Sequence, residues 1–168
     1  KESENRLRKV FESVPDVIYT ISSEGVFVSL NPAFEKLSGY KVEEWIGRPF
    51  SELVHPDDLP MAINTFNRIF RGENVDVYTL RLKNSSGEYR ICELTPGAFI
   101  MDNKVVESLG LARDVTERII SEKKLKESEE RFNLALKGAN DGLWDWDLRS
   151  NKVYFSPRWK SMLGYDDH

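Results

Sequence analysis

The chain reads as an α+β protein: one antiparallel sheet with its helices gathered on one face, then a charged helix, then the opening of a second copy of the same domain. Three observations carry this. Two short β-branched and aromatic runs, 17–21 and 26–30, flank Ser-Ser-Glu-Gly, which reads as a hairpin loop. Short helical segments then lead into three longer strand-like runs in a meander, the order expected of an antiparallel sheet with helices on one side. A charged stretch without Gly or Pro, 113–131, separates all of this from residues 132–168, which repeat the start of the chain.

The elements follow in order. Leu7, Val10, Phe11 and Val14 fall at helical spacing, and Pro15 stops that helix. After the hairpin comes Asn31-Pro32: Asn is a strong N-cap and Pro suits the first helical position, so 32–37 is a short helix ended by Gly39. One more turn is expected at 42–46, stopped by Gly47 and Pro49. His55-Pro56-Asp57-Asp58 is a turn that leads into a helix over 59–70, closed by Arg71-Gly72. Strands are expected at 75–83, at 89–99 with Pro96 inside it, and at 105–112, with turns at 84–87 and at Asp102-Asn103.

Composition bounds the function. The 168 residues are 40% apolar and 31% charged, enough for one ordinary core plus an appendage. A net charge of −4 argues against nucleic acid, whose phosphates need clustered Lys and Arg. No apolar run reaches membrane-spanning length and no signal peptide is present, so direct membrane contact is not expected and a cytoplasmic location is. The single cysteine, Cys92, excludes an intrachain disulfide and fits a reducing compartment. The chain opens on Lys1 and stops inside a recognisable pattern, as expected of a fragment.

The repeat runs without a gap at one constant offset, the one from Arg6 to Arg131. At that offset Asp16 meets Asp141, Ile18 meets Leu143 and Tyr19 meets Trp144. Pro32 meets Pro157, Phe34 meets Trp159, and Gly39-Tyr40 meets Gly164-Tyr165. The expected divisions are an amphipathic helix over 1–14, a domain over 15–114, a linker helix over 115–137 and the start of a second domain over 138–168.

Asn31-Pro32-Ala33-Phe34, Leu37-Ser38-Gly39-Tyr40, Ile46-Gly47 and His55-Pro56-Asp57-Asp58 resemble the first half of a PAS domain. Ser86-Gly87 and Asp114-Val115-Thr116-Glu117-Arg118 resemble its later hairpin and its closing Asp-x-Thr motif. The resemblance covers roughly residues 10–118 entire and 132–168 as an opening; Ser22 departs from it, where the family often has Asp. It implies a five-stranded antiparallel sheet cupping a small pocket, used for sensing or dimerisation. Tandem copies joined by charged helices usually sit upstream of a histidine kinase or a diguanylate cyclase. The implied partners are a second copy of the chain and an output domain in cis.

No catalytic residue is assigned. A Gly-rich phosphate loop, a nucleophile motif, a kinase signature and a Gly-Gly-Asp-Glu-Phe stretch are all missing. His55 and His168 are too far apart to suggest a local site, and no metal site is read. His55 is explained by its turn, and Asp57 and Asp58 by capping a helix start. Haem-binding relatives supply a histidine from the long helix, and 59–70 has none. Flavin-binding relatives carry a cysteine near the second short helix, and Gly47-Arg48-Pro49-Phe50 has none. Haem and flavin are therefore disfavoured, and the choice lies between an unidentified small apolar ligand and an ordinary packed core.

Strand alternation sketches the pocket. Tyr78, Leu80 and Leu82 share one face of their strand, Cys92 and Leu94 one face of theirs. By resemblance these are the pocket sides, joined by Tyr19 and Ile21 and by Gly110 and Ala112. The helical side adds Phe34, Leu37 and Phe50, then Leu53, Met61 and Phe66. Ile91, Leu109 and Leu111 point the other way, and the helix of Leu7, Val10 and Phe11 is the expected cover, from the same chain or a partner. Asp114 and Thr116, with Arg118 as a nearby base, are the expected relay into the charged helix.

In that helix Leu125, Phe132 and Ala139 fall seven apart, but Ser121, Ser128 and Ala135 hold the alternate positions, a poor coiled-coil seam. It reads as a solvated linker held by Glu–Lys pairs, or as a marginal dimer helix. Trp144 and Trp146 alternate with Asp145 and Asp147, which puts both indoles on one face with Val153 and Phe155. That face is expected to be covered by another copy of itself, by the first domain or by a neighbouring chain, a symmetric pairing being preferred.

Overall fold

The computed structural model describes residues 2–139 and 142–165. It divides into two units, Lys1–Glu117 and Arg118–His168. The expectations placed on the side chains of Leu7 and Ala139, on Asp141 and on His168 fall outside the described residues.

The first unit opens with α1 (Glu2–Ser13), β1 (Val17–Ser22) and β2 (Phe27–Leu30). The hairpin loop closes as its composition demands. Gly25 takes φ 81°, and Ser22 Oγ accepts the Glu24 amide at 3.2 Å, doing the turn-forming work of an Asp. Next come α2 (Ala33–Ser38), α3 (Val42–Trp45), two single 3₁₀ turns (Phe50–Glu52 and Pro56–Asp58) and α4 (Leu59–Phe70). The meander is β3 (Tyr78–Lys83), β4 (Tyr89–Met101) and β5 (Lys104–Asp114). The sheet order is β2-β1-β5-β4-β3, antiparallel throughout, and the helices fill its inner face. Pro96 is tolerated inside β4 because β3 pairs only as far as Leu94, which leaves the far edge of β4 without a ladder at that point.

The core is aromatic. Phe27 meets Tyr19, Phe34 and Trp45 with ring centroids 6.2–6.4 Å apart, and Tyr40 meets Trp45 at 5.2 Å. Such pairs add about 0.5–1.5 kcal/mol each beyond their burial. Among the described residues, no helix is long and apolar enough to cross a membrane.

Several local expectations change. The strand expected from 75 starts at Tyr78, because Arg68 holds the preceding loop to the end of α4 through Glu73 (2.8 Å) and the Asn74 carbonyl (3.2 Å). Asn31 does not cap α2 with its side chain. That side chain is fully buried; its Oδ1 accepts the Ile18 amide at 3.0 Å, and its Nδ2 donates to the carbonyls of Asp16 (3.0 Å) and Phe11 (3.1 Å). Nor does Asp58 cap α4. Arg81 of β3 takes its carboxylate through Nε at 2.9 Å and Nη2 at 2.6 Å, a charge-assisted fork stronger than a cap bond. His55 does serve its turn: Nδ1 accepts the Asp57 amide at 3.2 Å, and the ring packs edge-on against Tyr89 at 4.4 Å.

The second unit carries most of α5 (Thr116–Ala139), then β6 (Trp144–Asp147), β7 (Lys152–Phe155) and α6 (Pro157–Met162). Leu125 and Phe132 are exposed on α5, and Arg118–Glu122 (4.0 Å) and Lys123–Glu127 (3.9 Å) are i, i+4 pairs of the kind that support a solvated helix. The register Trp144↔Phe155, Trp146↔Val153 puts both indoles on one face as expected. Trp144 is 56% and Trp146 49% exposed, so the second unit does not itself bury them. Two strands and a six-residue helix supply one aromatic partner, Trp159, and it stacks on Phe155 at 4.2 Å.

Candidate functional site

The inner sheet face and the helices enclose a cavity of about 60 Å³. Strand parity builds it. Val17, Tyr19 and Ile21 of β1 alternate inward, as do Ser108, Gly110 and Ala112 of β5 and Cys92 and Leu94 of β4. Phe34, Leu37, Phe50, Leu53 and Leu82 complete the wall around Tyr19, Ile21, Cys92 and Ala112. A second space of about 30 Å³ lies beside it, against Tyr78, Leu80 and Phe66, and Tyr19, Ile21 and Phe50 line both.

Tyr19 reaches this position because its cross-strand partner is glycine. A Cβ on Gly110 would lie 2.3 Å from the Tyr19 hydroxyl and from ring carbon Cζ. Burial pushes the Tyr19 phenol well above its ordinary range, and the neighbouring Tyr78 adds to the effect. Tyr78 is itself pushed up to about 12 by burial. Both stay neutral at physiological pH. Cys92 is fully buried and its thiol is pushed up to about 12, first by burial and then by the charge of Asp114. Fully buried and un-ionised at physiological pH, the Cys92 thiol serves as a small wall residue.

At the far end of β5 the sheet is fastened to α5. Asp114 Oδ1 accepts the Thr116 amide at 2.8 Å and so satisfies one of the unpaired N–H groups at the helix start. Thr116 Oγ1 accepts the Ile91 amide at 2.8 Å, and the Val115 amide donates to the Ile91 carbonyl at 2.9 Å. Ile91 is thereby bonded on both its N–H and its C=O to the first residues of the junction. The base found beside Asp114 is Arg90, with Nη1 3.9 Å from Oδ2.

A five-stranded sheet in this order, closed by helices over a small cavity and left through Asp-x-Thr, agrees with the outcome of comparison. A family model described as PAS fold matches residues 5–115. The chain belongs to the PAS family. It is 25% identical, over 99% of its length, to probable diguanylate cyclase DgcE of Escherichia coli (strain K12), and spans 15% of that protein. To sporulation kinase E of Bacillus subtilis (strain 168) it is 25% identical over 97% of its length, spanning 21% of that protein. A crystal structure of a PAS domain from Colwellia psychrerythraea superposes with a TM-score of 0.63 at 24% identity, covering 70% of this chain and 99% of that one.

Within the PAS domain, most of the wall expected from alternation is brought together. Three residues are corrected: Gly110 faces inward but lines neither space, because the Tyr19 ring lies over it. Met61 is 45% exposed, because the inward stripe of α4 is Ala62, Thr65 and Ile69, and Met61 is rotated out of it by about 100°. Leu94 is buried in the core but lines neither space, since the cavity stops one pleat earlier at Cys92. Arg90, Lys83, Asn84 and Ser38 also border the cavity and were not anticipated. For Arg90 the signal was present: it shares the strand parity of Cys92, but its charge argues against an inward position.

The outer face is as apolar as expected but is left open. Leu109 and Leu111 are 43% and 41% exposed, Ile91 is half-buried, and Val10 of the expected covering helix is itself exposed. The Asn31 bond to the Phe11 carbonyl anchors the end of α1 to the strand–helix corner.

Proposed function

We infer that this chain is a sensing PAS module that relays a change at its cavity through the β5–α5 junction to an output domain carried in cis, and performs no catalysis itself. One observation carries the reading. Ile91 stands between Arg90 and Cys92, which both border the cavity, and both of its backbone groups are bonded to Val115 and Thr116. A shift of β4 at the cavity therefore moves the start of α5. Asp114 and Thr116 are the relay, with Arg118 one turn further on. The relatives named as a diguanylate cyclase and a sporulation kinase support a cyclase or a histidine kinase as the output. An apolar outer face of this kind supports a homodimer, in which Leu109, Leu111, Val10 and Phe11 of one protomer meet another, with Leu125 and Phe132 as further contacts.

Residues 138–168 are read as the opening of a second PAS copy. Two bonds of the first hairpin recur at the same offset. Ile18 N–H meets the Asn31 side chain and Leu143 N–H the Ser156 side chain; the amides of Asn31 and Ser156 return to the carbonyls of Ile18 and Leu143. Gly39 and Gly164 both take positive φ after the helix.

A second reading, a ligand-free dimerisation or spacer module, is favoured by the small cavity volume. Asp114→Ala in the full-length gene product separates the two. Losing one capping bond costs about 1 kcal/mol, so the domain stays folded while kinase or cyclase output changes. Unaltered output and signal response would leave the junction a passive linker. Sedimentation equilibrium of Leu109→Glu/Leu111→Glu tests the dimer: a monomer is expected, and a surviving dimer would remove this face as the interface.

A further inference from the structure

The cavity is apolar inside, but its wall is shared with a charged surface cleft. Val17, Leu37, Arg90 and Ala112 line both the 60 Å³ cavity and a cleft of about 380 Å³, whose charged side chains are Asp16, Lys36, Arg90, Arg113 and Asp114. The cleft and the cavity thus share one wall. The charges of the cleft are not equally engaged. Arg113 is held by Asp16 through bonds of 2.6 and 3.1 Å. Arg90 lies 3.9 Å from Asp114, beyond hydrogen-bond reach. The Arg90 side chain, with guanidinium donors that no hydrogen bond among the described residues uses, therefore lines both the apolar cavity and the charged cleft. It also borders the carboxylate that holds the Thr116 amide.

Resting on the reading of the cavity as the sensing site, we propose that its ligand is a small aliphatic monocarboxylate, and that the ligand's carboxylate competes with Asp114 for Arg90. The tail occupies the cavity, which at about 60 Å³ takes a branched or linear chain of only a few carbons. The head stays in the cleft, where Arg90 offers a two-pronged match to a carboxylate and the exposed Lys36 adds a second positive charge. Each part meets its own chemistry: apolar wall for tail, cations for head. Binding and relay become one event, because the charge recruited by the ligand is the charge that balances Asp114. When Arg90 turns to the ligand, the carboxylate at the β5–α5 junction loses its counter-charge.

The full 168-residue chain titrated with sodium isovalerate, and in parallel with 3-methylbutan-1-ol, tests this by amide NMR at pH 7. The two probes share a tail and differ in the head. A charge-assisted bond to Arg90 predicts about tenfold tighter binding of the carboxylate, with the Thr116 and Ile91 amides shifting for the carboxylate alone. Arg90→Gln should abolish the preference while leaving alcohol binding intact. Asp114→Asn, which removes the competitor, should tighten carboxylate binding several-fold, a gain that misfolding cannot produce. Equal affinity for the two probes, or a preference that survives Arg90→Gln, would overturn the anionic ligand and leave cavity sensing standing. If neither probe perturbs the amides of Tyr19, Cys92 or Ala112, cavity sensing falls with it.

Discussion

The hairpin β1–β2–α2 and the hairpin β6–β7–α6 are the same piece of sequence logic in two settings. Both have two short strands, a helix opened by proline and a left-handed glycine after it. Both close the base of the hairpin by the same bonds, through Asn31 in one and Ser156 in the other. Their burial diverges. Tyr19 and Ile21 are each 7% exposed, whereas their counterparts Trp144 and Trp146 stand half in solvent. Phe34 is buried among Phe27 and Trp45, whereas Trp159 folds back over Gly142, where a Cβ would meet its Cα at 2.7 Å, and stacks on Phe155. Local bonds thus form a hairpin on sequence alone. A core also needs facing elements, which the first hairpin finds in β5 and in the helices.

The residue that distinguishes the hairpins most is the one at the strand–helix corner, and changing it should give the largest effect. Asn31→Ala strips partners from the Ile18 amide and from two carbonyls in a buried setting, and about 3 kcal/mol of destabilisation is expected in urea unfolding of the first unit. Ser156→Ala at the matching position should cost about 1 kcal/mol, because the two amides it releases, Trp159 and Leu143, are only part-buried. Equal costs would mean that Asn31 acts only locally.

Gly110→Ala comes next. The new methyl collides with Tyr19, and overpacking of this kind costs about 1–3 kcal/mol. Tyr19→Phe in the same chain should recover part of that loss in thermal melts, since the hydroxyl is one of the colliding groups; no recovery would place the strain elsewhere.

Acid should act on the first unit through Asp58. Its carboxyl is lowered to about 2, chiefly by hydrogen bonds from Arg81, against about 3.9 for an unfolded Asp. The folded state therefore binds this proton less tightly than the unfolded state. The stabilisation is complete above about pH 4 and is lost as pH falls toward 2. Asp58→Asn should flatten the stability–pH curve of the first unit across that window; an unchanged curve would remove the Arg81 pair as its source.

The smallest effect is optical. Trp45 is 3% exposed and the two β6 indoles are open, so iodide should quench emission from Trp144 and Trp146 and spare Trp45. Trp45→Phe should delete the protected component. Protection of the β6 indoles at high protein concentration, lost on dilution, would reveal the pairing of second-unit hairpins expected from their shared apolar face.

Much of the inner wall was legible from strand parity alone, because side chains alternate regardless of what they meet. Tyr19, Ile21, Cys92 and Ala112 were placed inward on that rule, and the turn residues Gly39 and Gly87 fell at positive φ as their positions required. Less legible was where polar side chains would send their bonds. Asn31 and Asp58 both read as ordinary caps by their neighbours in sequence, and each is claimed by residues distant in the chain.

The sequence by itself determined the order of elements, the α+β class, the PAS resemblance and the repeat, since each rests on periodicity, turn chemistry and motif within a few residues of chain. Only the tertiary structure decided that α1 leaves Leu109 and Leu111 open, that Asn31 ties three segments together and that Arg90 stands between cavity and junction. Those outcomes depend on which groups meet across the sheet. A buried donor or charge takes the strongest partner that folding brings within reach, and spacing along the chain does not encode that partner.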